Sequence, residues 1–536
     1  MTLPTPFPET DDIYKTNNQA FILFGSRFFA DQTVVELLSE FLSVFFSPKW
    51  LGQQGPITSP LPSLQELNKW RSNGGSRLKY RPPIRLNLKL FALLCASPLD
   101  SRHQVHTDHY EYLVEKFADQ IQSDRRKPEE VKEWVEDFLM GFQGAGFDRT
   151  WCAQTLYPVT TTFLLQETIW NHTEARRNPA TTWLESIYKF KTYYSVSRHR
   201  FLSRGGELLY LQLCNLFASK KVTEFVQRLG YFGEEYTLDS LHECLQTGFQ
   251  LLKDTESTAL NKMVDFIENL DHETYLKANE HDGLKCEWCP QESWPEAYLF
   301  ALEISRILRA TMDPVERLEL MQFGCALQVL RSMCAQSVRY SSLLSRNSLT
   351  KGSALGYAWL FSPKEGYSRQ QRLASCQNLS IVFRLIQSAL QNTDIVNHAR
   401  AVKSKRSVSD SKLDRDYGYK LFNLMGKRLD IIFPWRGAAP RFVLTDKLLR
   451  YLVLSVLEPG TSCTYDEFKR RIYSHHGIAV EGLELENAVI WSGLPANTSV
   501  QPDGSSELTE MLRAGGFLTE LSDGCSLVHN PFSAQF

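Results

Sequence analysis

The sequence has no uninterrupted apolar run of about 18 residues, so no membrane-spanning helix is expected. It has no excess of one charge. Lys+Arg number 59 and Asp+Glu 61, a formal net charge of −2, which excludes a histone-like polycation. Cysteine shows no order: 11 are scattered over 536 residues without paired spacings, which points to a reducing compartment. The start, MTLPTPFPETDD, has no basic stretch leading into an apolar one, so no signal peptide is read and a cytoplasmic location is expected. Signatures of common chemistries are missing too. There is no G-x-x-x-x-G-K-[ST], no G-x-G-x-x-G, no H-E-x-x-H and no G-x-S-x-G. No phosphate loop, dinucleotide fold, zincin or hydrolase elbow is read, and no cofactor is expected.

What is present is mostly helical patterning. Thr33 with Glu36 makes a capping box, followed by Val34, Leu37, Leu38, Phe41, Leu42 and Phe45 at helical spacing, with Pro48 as the stop. The same patterning predicts helices over 110–122, 129–142, 181–194, 207–218, 238–252, 257–269, 296–311, 314–340, 369–390 and 416–432. Strand-like alternation is scarce before about residue 440. After it the pattern changes to helices over 445–457, 465–476 and 506–514, then FLTEL, the turn Ser522-Asp523-Gly524 and CSLVHNPF, which read as a hairpin. The order is that of a winged helix with a long insert, 482–504.

The expected fold class is therefore mainly α, with multi-helical domains followed by a C-terminal winged-helix-like α+β domain. Its segments would be an N-terminal helical domain over 1–278, a central helical domain over 279–399, a basic linker over 400–415 and the C-terminal domain over 416–536.

Two stretches combine cations with aromatics. Residues 69–89 carry Lys69, Arg71, Arg77, Lys79, Arg81, Arg85 and Lys89 without one acid, beside Trp70 and Tyr80. Residues 186–205 carry Lys189, Lys191, Arg198, Arg200 and Arg204 with Phe190, Tyr193, Tyr194 and Phe201 interleaved. Cations for phosphates and rings for bases suit a nucleic-acid backbone. The bland reading is a solvated basic face over a packed aromatic core.

Two groups suggest metal chemistry by composition alone. His103, His106, Asp108 and His109 match no ligand spacing, and Asp108 reads as a helix cap. Cys286-x-x-Cys289 with His281 is half of a zinc site whose other half is missing. No metal is expected, and the thiols read as surface groups. The segment from 445 onward holds 6 Lys+Arg against 12 Asp+Glu. Such an acidic module suits a protein partner better than DNA.

Three segments, FILFGSRFFADQT (21–33), RFLSRGGELLYLQL (200–213) and RFVLTDKLLRYLVLSVLEPGTSCTYDEFKRRIY (441–473), resemble motifs in large accessory proteins of multi-gene bacterial anti-phage defence systems. Systems of the Druantia type and of the phosphorothioation-dependent restriction type are the ones concerned. The resemblance covers about 60 residues and transfers no catalytic residue. It implies a non-ATPase accessory subunit that works beside an ATPase/helicase or nuclease. Together with the residues, it leads to the expectation of non-specific DNA-backbone binding and a protein partner, and no membrane. The alternatives are a diverged metal-dependent nuclease and a pure protein scaffold without nucleic-acid contact.

Overall fold

The structure is a computed structural model. It describes residues 3–25, 28, 30, 32–52, 57, 60–73, 78–80, 85–86, 115–122, 125–140, 151–155, 163–167, 177–178, 181–182, 185, 205–219, 222–230, 237–254, 262, 266, 284–364, 369–402, 408–494, 507–522 and 525–536. The architecture is mainly helical with several small sheets. No described helix is long and apolar enough to cross a membrane.

The expected capping box closes the helix Val34–Phe46: Thr33 N–H donates to Glu36 Oε2 at 2.7 Å and Glu36 N–H to Thr33 Oγ1 at 3.3 Å. Glu36, Ser39, Glu40 and Ser43 are buried along with the apolar stripe. A helix covered on all sides needs partners for its polar groups. Glu40 finds them at the start of the helix Gly205–Phe217. Its Oε2 accepts the Gly206 N–H at 3.1 Å, and both carboxylate oxygens accept from Gln32 Nε2. An anion at a helix N-terminus also meets the positive end of the helix dipole. The two helices touch backbone to backbone, and the Gly205-Gly206 pair permits it. Around them, Phe41, Phe45, Tyr210, Phe249 and Phe300 form one aromatic cluster.

The helix Pro314–Tyr340 is the spine. At 27 residues it is about 40 Å long. It is capped by Asp313, whose carboxylate accepts from Val315 N at 2.8 Å. It packs against Val34–Phe46, Trp294–Arg309 and Arg369–Leu390.

A four-stranded sheet lies in the order Ile432–Phe433, Arg441–Val443, Trp359–Ser362, Ile478–Ala479, with Trp359–Ser362 parallel to both neighbours. Helix Arg369–Leu390 lies on it and presents Gln371, Ser375 and Asn378 to the sheet backbone. Gln371 Nε2 donates to Phe361 O and Val480 O, Ser375 Oγ to Phe442 O, and Asn378 Oδ1 accepts from Leu360 N–H, all between 2.9 and 3.1 Å. Polar residues at spacings of four and three on one helix face thus complete the backbone pairing of short strands.

Beyond residue 445 come the helices Asp446–Val456, Tyr465–His476, Gly482–Trp491 and Glu507–Ala514. Strands Ser462–Thr464, Cys525–His529 and Leu518–Ser522 form an antiparallel sheet in that order.

Several expectations meet the structure closely, including the helices at 314–340, 369–390 and 465–476. Others differ. Strands do occur before residue 440, at Lys49–Leu51, Leu78–Tyr80, Trp151–Thr155, Phe163–Glu167 and Trp359–Ser362. Runs of three residues are too short to show alternation. Trp359–Ser362 is buried on both faces and so reads as continuously apolar. Within the expected linker, Asp410–Asp416 is helical, while 403–407 lie outside the described residues. Strands from both sides of 400–415 share the four-stranded sheet, and one apolar core takes residues from all three of the expected domains.

A methyl group at Gly206 would stand 2.2 Å from the Phe41 backbone nitrogen and 2.5 Å from the Glu40 carbonyl carbon. Neither can swing aside. Gly206→Ala is expected to cost at least about 1–3 kcal/mol, read as a lower urea midpoint.

Candidate functional site

Two places concentrate polar chemistry among the described residues: an outer sheet face in the N-terminal half and a buried ionic network.

The outer face builds on three short strands, Lys49–Leu51, Leu78–Tyr80 and Leu284–Lys285. Strand residues alternate between faces. The antiparallel register sets Trp50 opposite Lys79 and Lys79 opposite Lys285. These three share one face, and Trp50 and Lys79 are half-buried there while Lys285 is exposed. The other face takes Lys49, Leu78 and Tyr80, all buried. Lys285 pairs with Asp12, an exposed pair that contributes little. Lys49 turns inward. Its Nζ donates to Phe45 O at 2.9 Å and Ser47 O at 2.7 Å, closing the end of the helix Val34–Phe46, and lies 4.7 Å from the Tyr210 ring centroid. Burial lowers its pKa to about 7.

This arrangement sorts the candidate residues. Lys69 is exposed on the helix Leu64–Asn73. Arg71 is half-buried, and burial lowers its pKa. Lys79 faces outward, and Arg85 lies on the strand Arg85–Leu86. Arg77, Arg81, Lys89, Lys189, Lys191, Arg198, Arg200 and Arg204 lie outside the described residues, as do His103, His106, Asp108, His109 and His281. The rings expected beside the first patch are not available for stacking. Trp70 is 1% and Tyr80 2% exposed, and the Tyr80 hydroxyl donates to buried Glu207 at 2.6 Å. The ring that does join the cations is Trp50, supplied by another strand. Only the strand register carries that information.

Cys286 and Cys289 are buried, not surface thiols. Burial pushes both pKa values well up, and for Cys286 the Glu207 carboxylate adds to it. Protonated thiols are poor zinc ligands.

The second place lies inside the core. Glu303, on the helix Trp294–Arg309, is 0% exposed. Its Oε1 accepts from Arg331 Nη2 and from His475 Nε2 (2.6 Å), and its Oε2 from the Tyr451 hydroxyl at 2.5 Å. Arg331 Nη2 also meets His476 Nδ1 at 3.0 Å, and its Nη1 donates to Gln328 Oε1 at 2.9 Å. Gln328 continues to Gln212 at 2.9 Å, and Gln212 to Ser332 at 3.0 Å.

Tautomers follow from the partners. A carboxylate only accepts, so His475 carries its proton on Nε2. A guanidinium only donates, so His476 Nδ1 is bare and its proton sits on Nε2, which is buried without a partner. Burial lowers both histidine pKa values well below the usual 6.5; the Arg331 and Arg306 charges add to this at His475, and the neighbouring imidazole of His475 adds to it at His476. Burial works against the charge on Arg331, and the Glu303 carboxylate overrides it.

Glu303, His475 and His476 bring a carboxylate oxygen and two ring nitrogens within 4.8 Å of one another. The donor set suits zinc or iron, but the centre is taken. Arg331 Nη2 binds both Glu303 Oε1 and His476 Nδ1, so the guanidinium stands where a cation would, and the residues do not fit a metal while it is there. The network ties the helices carrying Gln212, Glu303, Arg331, Tyr451 and His475 into one core.

Comparison with protein-family models, with curated proteins and with solved structures finds no match to this chain.

The network makes two outcomes measurable. Arg331→Met leaves Glu303 buried without its cation and is expected to cost about 3–5 kcal/mol of unfolding free energy; urea titration reads it. The second is pH dependence. The unfolded histidines bind protons below about 6.5, and the native ones do so only at lower pH. Stability is therefore complete above that pH and declines below it by up to about 1.4 kcal/mol per pH unit for each histidine. His476→Gln should flatten the slope by one proton, seen in urea titrations between about pH 5 and 7.

Proposed function

We propose that this chain is a non-ATPase accessory subunit of a bacterial anti-phage defence complex. It holds nucleic-acid backbone on its N-terminal half and docks a partner ATPase/helicase or nuclease through a C-terminal winged-helix-like module.

The observation that carries the nucleic-acid half is the cross-strand row Trp50, Lys79, Lys285. A partly exposed indole beside two ammonium groups is the combination that stacks a base while neutralising phosphate. Lys69 and the basic stretch around Arg77, Arg81 and Arg85 belong to the same part of the sequence. The mechanism is positioning: cations hold phosphates and one ring receives a base.

The docking half is supported by element order. A helix, a short strand, a second helix, the helix Glu507–Ala514 and a hairpin follow one another, and the short strand pairs with the second hairpin strand. That order supports the winged-helix reading, with the strand Ile478–Ala479 and the helix Gly482–Trp491 as an insertion. In a DNA-reading module the helix Glu507–Ala514 would offer donors to bases. Here it carries Glu507 and Glu510, and its Arg513 pairs with Glu520. An acidic helix suits a basic surface on a protein. Among the described residues the nuclease alternative has less support, because Arg331 fills the metal-type cluster that Glu303, His475 and His476 form.

The test is a salt-titrated shift assay with single-stranded DNA. Replacing Lys79 and Lys285 together by Ala should flatten the slope of log affinity against log salt by about 1.4, two phosphate contacts at about 0.7 each. Trp50→Ala should weaken binding by about 1–3 kcal/mol. Affinity unchanged in both variants would remove the nucleic-acid half and leave a protein scaffold.

A further inference from the structure

The strands Ile432–Phe433 and Arg441–Val443 pair antiparallel, and the loop between them, 434–440, projects into solvent. Trp435 in this loop is 50% exposed, and Arg436, Gly437, Ala438 and Ala439 after it are exposed too. A single exposed ring needs no explanation by itself. This one is fastened in place and surrounded by cations.

The loop is held from both sides. Lys427 Nζ, at the end of the helix Tyr419–Arg428, donates to Trp435 O at 3.0 Å. The indole Nε1 lies 3.5 Å from Asp430 Oδ1. Across the loop, Cys376 Sγ on the helix Arg369–Leu390 donates to Ala439 O at 3.4 Å. The described non-glycine residues with a left-handed backbone are Asp430 (φ 57°) and Ala439 (φ 58°), one on each side of Trp435. A residue with a Cβ is disfavoured there. Such conformations persist where the surroundings enforce them, and they gather at ligand clamps. A loop already fixed in shape loses little entropy on binding.

The cations come from three elements. Arg436 follows Trp435 in the loop. Lys364, exposed, sets its Nζ 5.8 Å from the centroid of Phe433, the last strand residue before the loop. Arg441 ties that segment down, with Nη2 donating to Lys364 O at 3.2 Å and Nε to Ser362 Oγ at 3.1 Å. Arg372 and Arg369 are exposed and stand one and two turns before Cys376, on the side of their helix that meets the loop. The two segments that build this face, 369–390 and 419–443, hold eight Lys+Arg against one acid, Asp430. The chain as a whole is balanced at 59 against 61, so the excess belongs to this face.

We propose that this hairpin is a second contact for single-stranded nucleic acid. It is carried by elements other than those of the row Trp50, Lys79, Lys285 and does not rest on that row. Trp435 stacks on an unpaired base. Arg436, Lys364 and Arg372 take the phosphates on either side as charge-assisted pairs. A duplex keeps its bases stacked on one another and offers the indole no free face, so the hairpin selects single strands. An acidic peptide would match the charge and leave the indole without a partner.

The test is fluorescence anisotropy of the full chain with a labelled oligo-dT of about 20 nucleotides, longer than one binding site of this kind, over a range of salt. Trp435→Ala should weaken binding at least about fivefold, and Trp435→Phe, which keeps a ring, should restore most of it. Arg372→Ala with Arg436→Ala should flatten the slope of log affinity against log salt by about 1.4. These positions are exposed, so thermal unfolding should be unchanged. The effects should persist in a chain that already carries Lys79→Ala and Lys285→Ala. Loss at the hairpin alone would sink the outer-sheet row and keep this proposal; loss at the row alone would do the reverse. The proposal is also overturned by an absence of oligo-dT binding, or by an equal Trp435→Ala loss with a blunt duplex of the same length. Loss of binding to phosphatidylserine vesicles with oligo-dT binding untouched would assign the hairpin to a lipid surface and overturn it as well.

Discussion

The carboxylate of Glu303, shut away from water, is the constraint to which much of the core answers. A lone buried anion is too costly to keep. The fold meets the cost with one guanidinium, one phenol and one imidazole, each from a different helix. Arg331 comes from the spine, Tyr451 and His475 from helices more than a hundred residues further on. Because every donor must stand within hydrogen-bond reach at once, the relative placement of four helices is set by one side chain. Apolar packing alone would tolerate small slides of those helices. A network with fixed donor geometry does not.

The same logic appears twice more at lower charge. Glu40 satisfies the start of a neighbouring helix and explains why two glycines stand there. Gln371, Ser375 and Asn378 finish the backbone pairing of strands too short to finish it themselves. In each case polar residues inside a helix, which a hydrophobicity pattern counts as blemishes, are what orients one element against another. The result is a single core through which the spine runs, and a C-terminal module joined to it by Tyr451, His475 and the strand Ile478–Ala479.

Much of the helical content is legible from periodicity, capping and punctuation. Thr33 and Glu36 signal a helix start because the two side chains meet only in that local geometry. Asp313-Pro314 does so because proline needs no amide partner in the first turn. The sheet is less legible: WLFS has no alternation, since both of its faces are covered. The aromatic partner of the cations is not legible at all. Tyr80 and Lys79 are neighbours in sequence and point to opposite faces, while Trp50 and Lys79 are distant in sequence and share one.

A linear pattern records composition and contacts within a few residues. From these alone come a mainly helical chain, a balanced total charge, the lack of a recognised catalytic motif and an acidic C-terminal segment. Other properties arise only when distant segments meet. They include which side of Lys79 faces a ring, the burial of the Cys286 and Cys289 thiols, and the guanidinium that Glu303, His475 and His476 surround, which leaves no place for a metal. Each of these depends on strand register or helix packing between segments far apart in the chain. Burial and pairing are properties of the assembled neighbours, and no single segment of the sequence contains them.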